Sequence, residues 1–345
     1  MLSTYMFLQP RYNGKRYFNP VPTAMTTGKG SYWQMARHWL LGKEQRVPKP
    51  ALTPFHADAN ALAQPMPAEA LRATWLGHTT VLLEVDGRRL LTDPVWRTYS
   101  SPVNFMGPKR FFPNPLPLTA VPPLDAVIIS HDQYDHLDPI AIRALAPTGV
   151  PFFCPLGVGA HLRRWGVPAR QITELGWWQS TPLAPDFTLT ATPARHFSGR
   201  RLGLDQDATL WASWVLAGPT HRVFFGGDSG PFAEAFQQIG DAYGPFDLTM
   251  LEIGAADPTW ADIHMGPLVA VAAHQLLRGQ ALLPLHWGTF NLAYHAWTAP
   301  AEEALRAAEA AGVALLLPRP GERVAVGTEP QVSYWWRQSG GAAPA

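Results

Sequence analysis

An α+β fold, with two mixed sheets flanked by helices in one domain, is what this sequence predicts. Three observations lead there. Between Ala73 and Asp93, β-rich runs are joined by the Asp86-Gly87 turn signal, the mark of antiparallel strands. From Asp125 onward, short apolar runs recur with helical stretches between them, as in strand–helix units. No glycine-rich nucleotide loop accompanies those units, so a doubly wound nucleotide fold is not the reading. The chain divides into a Pro-rich extension (1–66), a main domain (67–337) and a flexible tail (338–345).

In the extension, Pro20, Pro22, Pro48, Pro50, Pro54 and Pro65 permit only short elements. Residues 31–42 predict one of them, a helix opened by Ser31 and stopped by Gly42 with Tyr32, Met35, Trp39 and Leu40 near one face. Such a stripe either packs on its own domain or serves at a membrane interface or substrate groove. Antiparallel strands follow at Ala73–Gly77, Thr80–Val85 and Arg89–Asp93, and Asp93 before Pro94 reads as an Asx turn. Residues 101–123, with Phe105, Lys109, Arg110, Phe111 and Phe112, form a loop too long for a simple connector, as lids and binding loops are. Asp125–Ser130 is a short buried strand. Asp138-Pro139 then caps and starts a helix to Ala146. Further strands are expected at 151–154, 187–192, 210–216, 222–226, 247–253, 281–285 and 314–317, with helices at 267–277 and 300–311 stopped by Gly279 and Gly312.

Composition excludes several classes. With 47% hydrophobic and 15% charged residues the chain is globular, and its 29 glycines and 35 prolines, about a fifth of the total, make it loop-rich. A net charge of +1 offers no nucleic-acid footprint. The single Cys154 excludes an intrachain disulfide and a thiolate zinc cluster, leaving His, Asp and amide oxygens as ligands. No apolar run reaches the roughly 18 residues of a membrane span, and the first residues lack a secretory pattern. The expected location is cytoplasmic, with peripheral membrane contact left open.

Chemistry concentrates in Ser130-His131-Asp132-Gln133-Tyr134-Asp135-His136-Leu137-Asp138, at the end of the 125–130 strand. Two histidines, an amide and an aspartate within six residues can serve one metal ion or two neighbouring ions; the alternative is a solvated loop that happens to be rich in His and Asp. His196, Asp228 and His286 each stand just past the carboxyl end of another predicted strand. Side chains so placed converge on one edge of a sheet pair, where loops build sites.

The 130–138 segment resembles the His-X-His-X-Asp-His signature of the metallo-β-lactamase fold. Six further segments are similar to the N-acylphosphatidylethanolamine phospholipase D branch of that family: Thr74-Trp-Leu-Gly-His-Thr79, Leu91-Thr-Asp-Pro-Val95, Met106-Gly-Pro-Lys-Arg110, Phe225-Gly-Gly-Asp-Ser229, Gly244-Pro-Phe-Asp247 and His286-Trp-Gly-Thr-Phe290. The resemblance implies a four-layer αββα sandwich with a dinuclear centre at the sheet edge, holding zinc, with manganese or iron as alternatives. It implies that His131, Gln133 and His196 hold the first metal and Asp135, His136 and His286 the second, with Asp228 bridging. Histidine stands in the family where this chain has Gln133, whose amide oxygen is a weaker ligand, so the first site is expected to bind metal less tightly. The resemblance also places His264 near the reacting centre, as a phosphate contact or proton donor, against the plainer role of a loop histidine. His295 is a second candidate of that kind. His38, His56, His78, His161, His221 and His274 have no partner visible in the sequence and read as structural or surface residues.

The implied activity is hydrolysis. Water held by such cations has its pKa drawn from 15.7 towards about 7, giving hydroxide at neutral pH. Phosphodiesters lead as substrates, and the fourteen tryptophans and aromatic loops favour lipid-like ones. Lactones or other acyl esters and phosphotriesters are the alternatives on the same site. A metal-poor binding module is the third reading, disfavoured because six of seven ligand positions keep the expected residue.

Overall fold

The computed structural model describes residues 8–25, 37, 42–103, 105–201, 203–327 and 329–337. Prolines keep the start of the chain to short pieces: a hairpin of β1 (Arg11–Tyr12) and β2 (Tyr17–Phe18), then the helix Ala59–Ala63 capped by Asp58. The helix expected at 31–42 lies outside the described residues, except for residues 37 and 42. The 338–345 tail lies outside them too.

β3 (Leu71–Gly77), β4 (Thr80–Val85) and β5 (Arg88–Thr92) pair antiparallel, the second turn being made by Asp86-Gly87 as expected. β6 (Ala126–Ile128), β7 (Phe152–Pro155) and β8 (Ile172–Leu175) then join in parallel, with helices Pro139–Leu145 and Gly159–Arg164 in the crossovers. The second sheet repeats this order of events. β9 (Ser180–Ala184), β10 (Phe187–Thr192), β11 (Ser213–Ala217) and β12 (Arg222–Phe225) are antiparallel neighbours. β13 (Phe246–Glu252), β14 (Gly279–Leu285) and β15 (Ala314–Leu317) continue in parallel through helices Ala233–Tyr243, Pro267–Leu276 and Ala299–Ala311. Finally β16 (Arg323–Ala325) returns to pair with β3, and β17 (Gln331–Val332) closes the second sheet beside β15.

Alternation along the first sheet shows why the layers stack. Trp75, Val81, Leu83, Leu90, Ile128 and Phe153 share one core with Leu189, Val215, Leu248 and Leu283 of the second sheet. Their sequence neighbours Leu76, Leu82, Leu91, Val127 and Phe152 belong to another, beneath Ile142, Leu145 and Leu162 of the crossover helices. Period-two patterning thus gives each strand of the first sheet a face towards the other sheet and a face towards helices. On the far side, helix Pro267–Leu276 packs on β13 and β14, and Ala299–Ala311 on β15. The order helix, sheet, sheet, helix is the four-layer αββα sandwich. Among the described residues no helix is long and apolar enough to cross a membrane.

Two expectations change. The strand read at 210–216 begins at Ser213, because Ala212 N–H donates to the Ser130 carbonyl and Leu210 N–H to the Leu156 carbonyl, tying 210–212 to the first sheet's loops instead. The tryptophans are weaker support for lipid-like substrates than their number suggested. Trp75, Trp211, Trp214, Trp287, Trp335 and Trp336 are core residues. Trp75 stacks on Trp287 at 5.4 Å and 13°, and Trp287 meets Trp335 at 5.3 Å. Aromatic pairs of this kind give about 0.5–1.5 kcal/mol beyond burial alone. Here they pin the turn that follows His286.

Candidate metal centre

In each sheet the centre lies where antiparallel pairing gives way to parallel, beyond the carboxyl ends of the strands, a position left open for ligands. β5 delivers Asp93, β6 the 130–138 loop, β10 leads to His196, β12 to Asp228, β13 ends on Glu252 and β14 is followed by His286. The β3–β4 turn adds His78. His78, Asp93 and His286 have φ of 55°, 33° and 64°, left-handed backbone that side chains rarely adopt. Such strain is held in place by its surroundings, and its clustering points to function. Gly227, with φ 57°, is needed for a related reason: a Cβ there would come within 2.5 Å of Ser130 Cβ, separating the Asp228 loop from the His131 loop.

Three groups of ligand atoms form, each within 4.8 Å: His131, His196 and Asp228; His78, Asp135, His136 and His286; and Asp228, Glu252, His264 and His286. Asp228 Oδ2 lies 3.1 Å from His136 Nε2, 3.1 Å from His286 Nε2 and 3.8 Å from His196 Nε2. Asp135 Oδ2 is 3.5 Å from both His136 Nε2 and His286 Nε2. Two ligands about 2.0–2.2 Å from one ion at tetrahedral angles stand roughly 3.3–3.6 Å apart, so these separations suit shared ions. The atoms are also bare. Nε2 of His131, His136, His196 and His286 and both oxygens of Asp228 are buried without a hydrogen-bond partner among the described residues. Buried polar atoms are rarely left so, and imidazole with carboxylate is the donor set of zinc, manganese or iron.

Their far sides are held. Ser130 Oγ is 2.9 Å from His131 Nδ1, Asp93 Oδ2 is 2.7 Å from His136 Nδ1, and the Ile263 carbonyl is 2.9 Å from His196 Nδ1. Each contact fixes a ring so that Nε2 faces the centre. Asp93 also accepts from Ser130 N–H and Oγ–H, at 2.7 and 2.6 Å. It is an orienting carboxylate, not merely the Asx turn expected. His78, expected to be structural or surface, is buried with Nε2 3.0 Å from Asp135 Oδ2. Arg200 Nη1–H donates to the Leu137 carbonyl at 2.8 Å and the guanidinium covers the Tyr134 ring, which stiffens the ligand loop.

The charges are ready for metal. Burial and the neighbouring His136 push His131 down to about 3, and burial beside His131 holds His196 well below the imidazole range. Burial opposes charge on Asp228 and Asp135, but the surrounding histidines outweigh it and keep both ionised. Burial likewise opposes charge on His286, yet Asp228, Asp135 and Glu252 outweigh it and lift the ring to about 10. Metal ions would replace protons there as the compensating positive charge.

Of the sequence candidates, His131, Asp135, His136, His196, Asp228 and His286 are brought together. Gln133 is half-buried beside His131, on which its side chain acts. His264 joins them, with Nδ1 2.7 Å from Glu252 Oε2 and 3.9 Å from Asp228 Oδ2. Glu252 is a residue that sequence reasoning missed; its Oε1 accepts from Ser229 and Met265 N–H. His295 is not in any of the ligand groups, and its Nδ1 faces the Ala296 carbonyl at 2.9 Å. Asp93→Ala is expected to weaken metal binding 10- to 100-fold with secondary structure unchanged, as losses of orienting partners do. Competition with a fluorescent zinc chelator measures it, and unchanged affinity would remove Asp93 from the centre.

Residues 88–287 match the Beta-lactamase superfamily domain. An uncharacterized protein of Mycobacterium tuberculosis is 45% identical over 95% of this chain and 87% of its own length. N-acyl-phosphatidylethanolamine-hydrolyzing phospholipase D 1 of Caenorhabditis elegans is 35% identical over 83% of this chain and 84% of its own. Among solved structures, a metallo hydrolase from Ignicoccus hospitalis aligns with a TM-score of 0.57 at 27% identity, over 74% of this chain and 97% of its own.

Proposed function

This chain belongs to the β-lactamase superfamily as a metal-dependent hydrolase, and from that membership we propose that it cleaves phosphodiester bonds, with lipid-like phosphodiesters as substrates. The observation that carries the reading is Asp228 Oδ2, placed within 3.8 Å of ligand nitrogens from both metal groups. A carboxylate so shared would help hold two cations, whose charge would suit the two non-bridging oxygens of a phosphodiester. Similarity to a phospholipase D supports the substrate class.

We assign His131, Gln133 and His196 to the first metal, Asp135, His136 and His286 to the second, and Asp228 to both, with zinc as the metal. Bound there, the ions would supply an activated water and Lewis acidity. The protein supplies the rest. Attack by water oxygen forms one P–O bond as the ester P–O bond breaks; the attacking water releases one proton to solvent, and the departing alkoxide takes up one. His264 is the group we assign to that proton: Glu252 holds it through Nδ1, leaving Nε2 for the substrate. His295 has no role in this scheme. We further propose that the chain is an extension (1–66), a hydrolase domain (67–337) and a tail (338–345), and that it works in the cytoplasm.

Comparative kinetics decides the substrate class. For zinc-loaded protein, kcat/KM on bis(p-nitrophenyl) phosphate and on a short-chain phosphatidylethanolamine is expected to exceed that on lactones and phosphotriesters by at least about tenfold. Faster turnover of lactones than of every phosphodiester tried would put the acyl-ester reading in its place.

A further inference from the structure

Three loops around the first metal group meet beneath a piece of the Pro-rich extension. Residues 194–197 carry His196, residues 228–231 begin with Asp228, and residues 262–264 include Ile263, whose carbonyl stands 2.9 Å behind the His196 ring. The loops are fastened to one another. Gly230 N–H donates to the Arg195 carbonyl at 2.8 Å, and Arg195 N–H to Ser229 Oγ at 2.9 Å. A Cβ on Gly230 would stand 1.8 Å from the Asp262 carbonyl oxygen, so only glycine lets those two loops touch.

Residues 19–24 of the extension are laid across this junction. Asn19 Nδ2–H donates to the carbonyl of His196 itself at 2.8 Å, and Ala24 N–H to Asp262 Oδ2 at 2.9 Å, one residue before Ile263. Between them Arg195, the residue preceding His196, engages all three of its guanidinium nitrogens. Nε–H donates to Thr23 Oγ1 at 3.0 Å and Nη1–H to the Pro231 carbonyl at 3.2 Å, while Nη2 reaches the Pro22 carbonyl and stands 3.0 Å from Asp262 Oδ1. None of residues 19–25 is fully buried, so these polar contacts carry much of what fixes the segment.

We propose that residues 19–24 are a strap that sets the first metal site, with Asn19 and Arg195 as its positioning residues. An imidazole stays aimed at an ion only while its own backbone and the acceptor behind it are both fixed. Asn19 fixes the first through the His196 carbonyl, and the contacts to Asp262 fix the second through Ile263. The effect is selective. No hydrogen bond or ion pair of residues 19–24 among the described residues reaches Asp135, His136 or His286, and the Asp228 loop has its own anchor, Ser229 N–H donating to Glu252 Oε1 at 2.8 Å. Gln133, the weaker third ligand, leaves the first ion more dependent on its two rings. The inference rests on the assignment of His131, Gln133 and His196 to that ion. By linkage, an ion that binds better with the strap in place holds the strap there in turn.

The test is zinc titration calorimetry on the metal-free full chain, with hydrogen exchange read by mass spectrometry on the same proteins. Asn19→Ala and Asp262→Ala are each expected to weaken the first site about tenfold and to leave the second within about twofold. Asn19→Asp keeps the size of the side chain without its amide donor and is expected to behave as Asn19→Ala. Leu315→Val, a core change in β15, controls for lost stability and is expected to alter neither site. Filling the first site is expected to slow exchange across residues 17–25 several-fold in the wild type, and by less in Asn19→Ala. Two ions in the wild type with first-site affinity unchanged in the Asn19 and Asp262 variants would overturn the strap and leave the site assignment standing. Equal weakening of both sites, the same weakening in Leu315→Val, or exchange at 17–25 that ignores zinc would do so too. A single ion in the wild type under excess zinc would overturn the assignment of the first site, and the strap with it.

Discussion

Asp228→Ala is expected to lower phosphodiester kcat/KM by at least about 10³-fold and to reduce bound metal from about two ions per chain to fewer than one. The size follows from the position of one side chain. Asp228 Oδ2 is within 3.8 Å of His136, His196 and His286, so its loss removes a ligand from both groups at once. It also removes negative charge from a buried site: Asp228 is the leading favourable influence on both His136 and His286. Without it, two cations would be held by rings that burial already disfavours as charged neighbours. Because Asp228 follows β12 in a loop and not within the core, the fold is expected to survive. Metal content by plasma emission, circular dichroism and kinetics are measured on the same preparation. Retention of both ions, or activity within tenfold of wild type, would show that Asp228 is not shared.

How far the sequence led can be traced residue by residue. The rule that placed His196, Asp228 and His286, a ligand just past a strand, applied equally to Asp93 after β5. There the Asx-turn reading before Pro94 prevailed, because the partner that decides the matter, His136, is 43 residues away. His78 was hidden differently. It occupies a tight β3–β4 turn whose only local signal is Gly77-His78-Thr79, and its contact with Asp135 spans 57 residues. Glu252 reads as the end of a buried strand, and only the folded chain brings His264 back to it. Among the elements, helix Ala233–Tyr243 was not seen because Phe232 offers no side-chain cap. β9 was not seen because it is a partly exposed edge strand containing Pro182. β10 and β15 were legible to the residue for different reasons: β10 alternates Phe, Leu and Ala with Thr, the period-two mark of a strand, and β15 is a continuous apolar run buried throughout.

Gln133→His is expected to tighten metal binding at the first site about 100-fold and to raise phosphodiesterase activity of protein assayed without added zinc by a similar factor. Among the proposed ligands, His131 and His196 are held on their far sides by Ser130 and the Ile263 carbonyl, so two imidazole nitrogens are already aimed. The third position is where this chain departs from the His-X-His-X-Asp-His signature that the 130–138 segment resembles. An amide oxygen is neutral and a poorer electron donor to zinc than imidazole nitrogen, while losing a mere orienting partner already costs 10- to 100-fold, so a change in a ligand should cost no less. Nothing comparable weakens the second site, where Asp135, His136 and His286 are joined by Asp228 and where Asp93 and His78 hold the ligands in place. The wild-type protein should therefore lose its first ion on dialysis while keeping the second, and added zinc or manganese should restore activity. Room is available, since Gln133 is half-buried and imidazole is no longer than the side chain it replaces. Titration calorimetry with zinc on both proteins, alongside kinetics, reads the two sites separately. Equal first-site affinity and equal activity in wild type and Gln133→His would show that the amide serves as well as the ring, and the ligand-strength argument would fall.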